Sequence, residues 1–127
     1  MKTEVKAGQV IEYRRTITEE DVARFAELSG DKGRHHLQRD EQGRLMAHGL
    51  LTATLPTKLG GDLDYMARTM HFDFQKAVYG GDALLCKGLV ESVIVQSTRL
   101  KVRFAFEISN QHGEVVLKGS SAGMILR

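Results

Sequence analysis

The chain has 127 residues, a formal net charge of +2, 42% hydrophobic and 27% charged residues. These values fit one globular domain spanning 1–127, long enough to bury a real core, and exclude a chain too polar to fold. The weak charge, with no basic stripe, argues against nucleic acid as a partner. The single cysteine, Cys86, excludes an internal disulfide and fits a reducing compartment.

Met1–Val5 lacks the apolar core of a signal peptide, so a cytoplasmic location is expected. Gln9–Ile17 contains β-branched residues and Tyr13 and is expected to form a short strand. Thr18 then starts a helix. Its hydroxyl can cap the Asp21 amide, and Glu19 and Glu20 suit the positive helix end. Val22, Phe25 and Ala26 share one face with Leu28 beside them, and Ser29-Gly30 ends the helix. Asp31–Gly43 is polar and rich in turn residues, and composition reads it as a loop. It holds Asp31, His35 and His36, the densest group of titratable side chains in the chain.

Leu45–Thr57 carries no formal charge and is too short to cross a bilayer, which needs about 20 apolar residues. Its apolar residues fall on every side of a helical turn, so it reads as one buried central helix from His48 to Leu59, ended by Gly60-Gly61. Pro56 conflicts with that helix, because it removes a backbone bond and clashes with the Thr52 carbonyl; a kink or an irregular turn is expected. His48-Gly49 opens the helix, where amides are unpaired and a glycine lets a substrate atom approach the backbone.

The remainder reads as strands. Tyr65–Phe74 places Met66, Met70, Phe72 and Phe74 on one face, and Tyr79-Gly80-Gly81-Asp82 is a turn before Ala83–Val95. Thr98–Ser109 has the cleanest period of two, with Leu100, Val102, Phe104, Phe106 and Ile108 on one side. Asn110–Gly113 is a hairpin turn into Glu114–Leu126. Tight turns imply an antiparallel sheet whose apolar face is covered by the central helix.

Four pieces taken together resemble the MaoC-like hot-dog family of the (R)-specific enoyl-CoA hydratase type. They are Phe25–Asp31 with His36 following, Ala47–Ala53, Tyr79–Asp82, and Asn110–Val116 with Gly119 after it. The resemblance implies an α+β single hot-dog fold, an antiparallel β-sheet wrapped around one long central helix. It implies a hydro-lyase that reversibly hydrates 2-enoyl thioesters to (R)-3-hydroxyacyl thioesters in fatty acid metabolism. The carrier would be coenzyme A or acyl carrier protein, with no further cofactor, no metal and a homodimer or higher homo-oligomer. In the family signature Asp-x-Asn-Pro-x-His, the aspartate and histidine hold and activate the catalytic water, and the matching positions are Asp31 and His36. The glycine of the His-Gly pair offers its amide to the thioester carbonyl, and its match is Gly49. Thr57 and His48 are second-rank candidates. Gly33 and Arg34 replace the family's Asn and Pro, and the segment between His36 and His48 is shorter than usual.

The residue types suit that chemistry. Histidine is the natural proton shuttle near neutral pH. A neighbouring carboxylate can orient water and stabilise the imidazolium, and a helix-start amide can hold an enolate-like oxygen. Other readings stand beside this one. Asp31 could shape a turn, His35-His36 could be a solvated pair, and the histidines could bind zinc. His48 could be a packed helix-start residue, and the methionines core filling. Cys86 reads as a small hydrophobe within a strand. A thioesterase and a non-catalytic acyl-CoA-binding dimer are the competing functions.

Overall fold

Alternation in the second half of the chain builds the scaffold. The computed structural model describes residues 5–127. In chain order these form β1 (Val10–Thr16), α1 (Glu19–Ser29), α2 (Arg34–Leu37), α3 (Gly49–Thr52), α4 (Thr54–Asp62), β2 (Tyr65–Phe74), β3 (Ala83–Val95), β4 (Arg99–Ser109) and β5 (Val115–Leu126). The strands form one antiparallel sheet in the order β1-β3-β4-β5-β2, so β1 and β2 are its edges. In β4 the expected face is buried: Val102, Phe104, Phe106 and Ile108 turn inward, with Leu100 packed beside them. They meet Leu51, Leu55 and Leu59 from α3 and α4, together with Cys86, Val90, Leu117 and Ile125.

The central helix comes in two pieces, and proline explains the joint. Pro56 has no N–H to give the Thr52 carbonyl, and the helix breaks at Ala53, between α3 and α4. Burial is not all-round: Leu50 is 61% exposed and faces the cleft described below. The expected stop at Gly60-Gly61 is also corrected, since α4 runs through both glycines to Asp62. Neither glycine takes a positive φ; Asp64 does, at 55°, just beyond the C-cap Leu63. Aspartate tolerates the left-handed region well enough to serve there.

α1 follows its local signals. Thr18 Oγ1 accepts the Asp21 N–H at 3.0 Å while the Asp21 carboxylate accepts the Thr18 N–H at 2.9 Å, a reciprocal cap. Gly30 closes the helix with φ 76°, a conformation that suits glycine. Val22 and Ala26 are buried, but Leu28 is 85% exposed, because it lies off the stripe that meets the core. The methionines depart from expectation as well. A bulge in the β2–β5 register between Ala67 and Thr69 reverses the parity of β2. Met70 therefore sits with Tyr65 and Ala67 beneath α4, whereas Met66 is on the opposite face, and both are nearly half exposed.

Candidate active site

The end of α1 fixes the first group. Ser29 Oγ–H donates to the Phe25 carbonyl at 2.7 Å and the same oxygen accepts the Asp31 N–H at 3.0 Å. The Asp31 carboxylate then accepts the Gly33 N–H at 3.1 Å, which closes a side-chain turn. That hydrogen bond, aided by the imidazoles of His36, His48 and His35 and opposed by partial desolvation, holds the Asp31 carboxyl below the usual carboxylate range. Asp31 is thus an anion at neutral pH, an acceptor and not a proton donor.

The second group sits on α2, inside the segment expected to be a loop. Four residues are too few for a periodic signal, and the turn is held by long-range bonds. Met46 N–H donates to the His35 carbonyl at 3.0 Å, Ala47 N–H to the Val78 carbonyl at 2.7 Å, and Gly80 N–H to the Leu45 carbonyl at 2.9 Å. The segment around Met46 is thereby bridged to Tyr79 and pinned beside α2. Its carbonyl lies 2.7 Å from His36 Nδ1. A carbonyl only accepts, so Nδ1 carries the hydrogen and Nε2 of the neutral ring presents a lone pair. That Nε2 is 3.6 Å from the Asp31 carboxylate. The gap is too long for a direct hydrogen bond, and both atoms are acceptors, the arrangement that a bridging water satisfies by donating to each.

His36 is buried, whereas His35 is exposed with its ring centroid 3.8 Å from that of His36. His48 is buried, its Nε2–H donates to the Asp31 main-chain carbonyl at 2.8 Å, and its ring lies flat on His36 at 3.6 Å. Gly49 is the first residue of α3, so its amide has no acceptor within the helix. A Cβ on Gly49 would stand 2.7 Å from the Phe74 ring, so glycine is what lets that ring close over the helix start. Asp31, His35, His36, His48, Gly49 and Phe74 all line one cleft of about 600 Å³.

Thr57 is not brought to this cleft. Its hydroxyl donates to the Ala53 carbonyl at 2.9 Å, and it lines a separate apolar cavity of about 200 Å³ between α4 and the sheet, with Tyr65, Met70, Phe104 and Phe106. Asp31, His36 and His48 each offer a donor atom within 4.8 Å of the others, a grouping that sequence spacing did not reveal. A metal ion lies in the plane of each imidazole it binds. These two planes are stacked only 17° from parallel and His48 Nε2 is already engaged, so the histidines as they stand do not converge on one ion. Burial pushes the Cys86 thiol up to about 12, which leaves it inert. The sequence reading missed the Met46 carbonyl and the Phe74 ring; a backbone acceptor carries no residue-type signal, and Phe74 is distant in the chain.

Similarity to known proteins bears on this geometry. The chain is 28% identical to a mitochondrial 3-hydroxyacyl-[acyl-carrier-protein] dehydratase of Arabidopsis thaliana, over 98% of this chain and 80% of that one. Its fold is similar to that of the (R)-hydratase PhaJ1 from Pseudomonas aeruginosa, with a TM-score of 0.84, 28% identity, and coverage of 95% of this chain and 82% of that one. It also matches an (R)-hydratase from A. caviae with a TM-score of 0.82 and coverage of 94% and 96%; at 23% identity that match speaks to the fold alone. The fold is the expected hot-dog arrangement. The family described as FAS1-like, dehydratase domain region, matches residues 1–118, and the chain belongs to it.

Proposed function

We propose that the cleft catalyses reversible hydration of a 2-enoyl thioester to the (R)-3-hydroxyacyl thioester, or the reverse dehydration. The observation that carries the reading is the pair of acceptors, Asp31 carboxylate and His36 Nε2, 3.6 Å apart at one cleft wall with the histidine tautomer fixed from behind. Water held between them donates one hydrogen to each. His36 Nε2 takes a proton as the water oxygen bonds to the β-carbon, and the ionised Asp31 stabilises the imidazolium. The electron pair of the enoyl double bond moves through the conjugated carbonyl onto the thioester oxygen, to which the Gly49 N–H can donate a hydrogen bond. The imidazolium then returns a proton to the α-carbon. Such acid–base help is worth roughly 10²–10⁴-fold.

The relatives' activities, a dehydratase and an (R)-hydratase, support the same reaction class. The departure at Gly33 fits the pair as well. Its amide still holds the Asp31 carboxylate, and a side chain there would crowd the His35 ring at 3.0 Å. The carrier is coenzyme A or acyl carrier protein, and the steps use only side chains, a backbone amide and water. Edge strand β2, exposed along most of its length and bearing Met66 and Phe74, is the edge that a second copy would pair in a homodimer. No helix among the described residues is long and apolar enough to cross a membrane. The test is the purified protein with crotonyl-CoA. Loss of enoyl absorbance without free thiol supports hydration, whereas thiol release would assign thioester hydrolysis instead.

A further inference from the structure

His48 shows a conflict that packing alone does not explain. Its ring is buried, with Phe25 tilted against it at 4.9 Å and His36 stacked on it at 3.6 Å. A phenylalanine would fill such a slot with no polar atoms. The imidazole instead leaves Nδ1 buried without a hydrogen-bond partner among the described residues. Its other nitrogen spends its hydrogen on the Asp31 carbonyl, which fixes Nδ1 as a bare acceptor. A buried acceptor with no donor destabilises the fold. The side chain therefore carries a cost that a hydrocarbon would avoid, and such local conflicts gather where function demands them.

We infer that His48 is a positioning residue for the hydration: one ring fixes Asp31 through its main-chain carbonyl and His36 through its stacked face. The two reacting groups stand on different elements. Asp31 follows α1 and His36 rides on α2, a turn of four residues with no side-chain cap at its start. Their 3.6 Å separation must be held by something that touches both. His48, at the start of α3, touches both. His36 Nδ1 is anchored to Met46, so the hydrogen bond behind that ring and the stack beside it together leave little freedom to swing. Asp31 accepts the Gly33 N–H at its carboxylate and the His48 Nε2–H at its main-chain carbonyl. His48 touches no substrate in this scheme; it sets the gap into which the water fits.

This inference rests on the proposed roles of Asp31 and His36, so variants of all three are measured together with crotonyl-CoA, each with kcat, KM and Tm. His48→Phe keeps a flat ring against Phe25 and His36 but loses the donor to Asp31. Misplacing reacting groups by about 1 Å costs on the order of 10²-fold. His48→Phe should therefore lower kcat by about that factor at unchanged KM, while Tm stays level or rises as the stranded acceptor disappears. His48→Gln keeps an N–H donor but gives up the face stacked on His36, so it should also lower kcat, though less than His48→Leu, which lacks both contacts. A wild-type kcat in His48→Phe overturns the inference, as does a kcat loss matched by a fall in Tm. A loss in His48→Leu no larger than in His48→Phe or His48→Gln overturns it too, since the two contacts would then not act together through the one ring. Full activity in Asp31→Asn and His36→Ala would overturn the roles of the pair themselves. Inactive pair variants beside a fully active His48→Phe would overturn only the part assigned to His48.

Discussion

In the proposed reaction Gly49 joins the fold to the chemistry, and replacing it separates the two. A Cβ at this position would lie 2.7 Å from one Phe74 ring carbon and 3.0 Å from two others, well inside van der Waals contact. Phe74 is the last residue of edge strand β2 and is about half exposed, so its ring has room to move. Overpacking typically costs about 1–3 kcal/mol, and alanine regains up to about 1 kcal/mol over glycine in a helix. Gly49→Ala should therefore lower stability by no more than about 3 kcal/mol, and less if the ring swings freely. Activity should respond more strongly. Loss of an oxyanion donor costs about 2.7–4 kcal/mol, or 10²–10³-fold, and Gly49→Val, which crowds approach to the amide, should come near that figure with Gly49→Ala between. The obstruction is shared with Phe74, so Phe74→Ala placed on Gly49→Ala should restore part of the lost rate, a coupling expected between residues in contact. Kinetics on crotonyl-CoA and thermal unfolding of each variant are needed together. A folded Gly49→Val with full hydratase activity would refute the argument and move the oxyanion site elsewhere.

Asp31 gives a pH signature. Its carboxyl is held below the ordinary carboxylate value, so its contribution to stability is complete above the unfolded-state value and is lost as pH falls through the lower folded one. Wild-type unfolding followed down to acid pH should show this loss, and Asp31→Asn should lack that component while losing at least about 10²-fold in turnover at neutral pH; an identical acid profile in both would contradict it. Leu55 is fully buried at the centre of the core, and Leu55→Ala should lower unfolding free energy in urea by about 2–5 kcal/mol; a change under 1 kcal/mol would count against the packing described. Cys86, fully buried with its thiol pushed up to about 12, should not react with iodoacetamide in the native protein at pH 8 and should label once unfolded; native labelling that abolishes activity would return the thiol to the site.

Much of the fold was legible because its signals are local. The period of two in β4 and the Thr18 cap of α1 depend on neighbours in the chain, and both appear as expected. The errors fall where distant contacts decide. Nothing in the Arg34–Leu37 sequence announces a helical turn, whose neighbour Met46 bonds back to His35. The bulge near Arg68 that moves Met66 to the other face is a matter of register with β5. Gly60 and Gly61 look like a stop signal, yet a glycine ends a helix only by leaving helical backbone space, and here Asp64 supplies the positive φ. At the site, composition singled out Asp31, His35 and His36, the helix start singled out Gly49, the family resemblance chose His36 over His35, and the fold gathers all of them in one cleft. The partners that orient them are a backbone carbonyl and a ring some 25 positions along the chain, and neither leaves a mark in a motif.

The central claim is that His36 Nε2, freed by the Met46 carbonyl behind it, moves the protons of hydration. The most direct measurement compares wild-type protein and His36→Ala on crotonyl-CoA, following enoyl absorbance and free thiol in the same cuvette, with Tm recorded for both. The account predicts enoyl loss without thiol in the wild type, and a rate lower by about 10²-fold or more in His36→Ala. A folded His36→Ala that hydrates at the wild-type rate would contradict it.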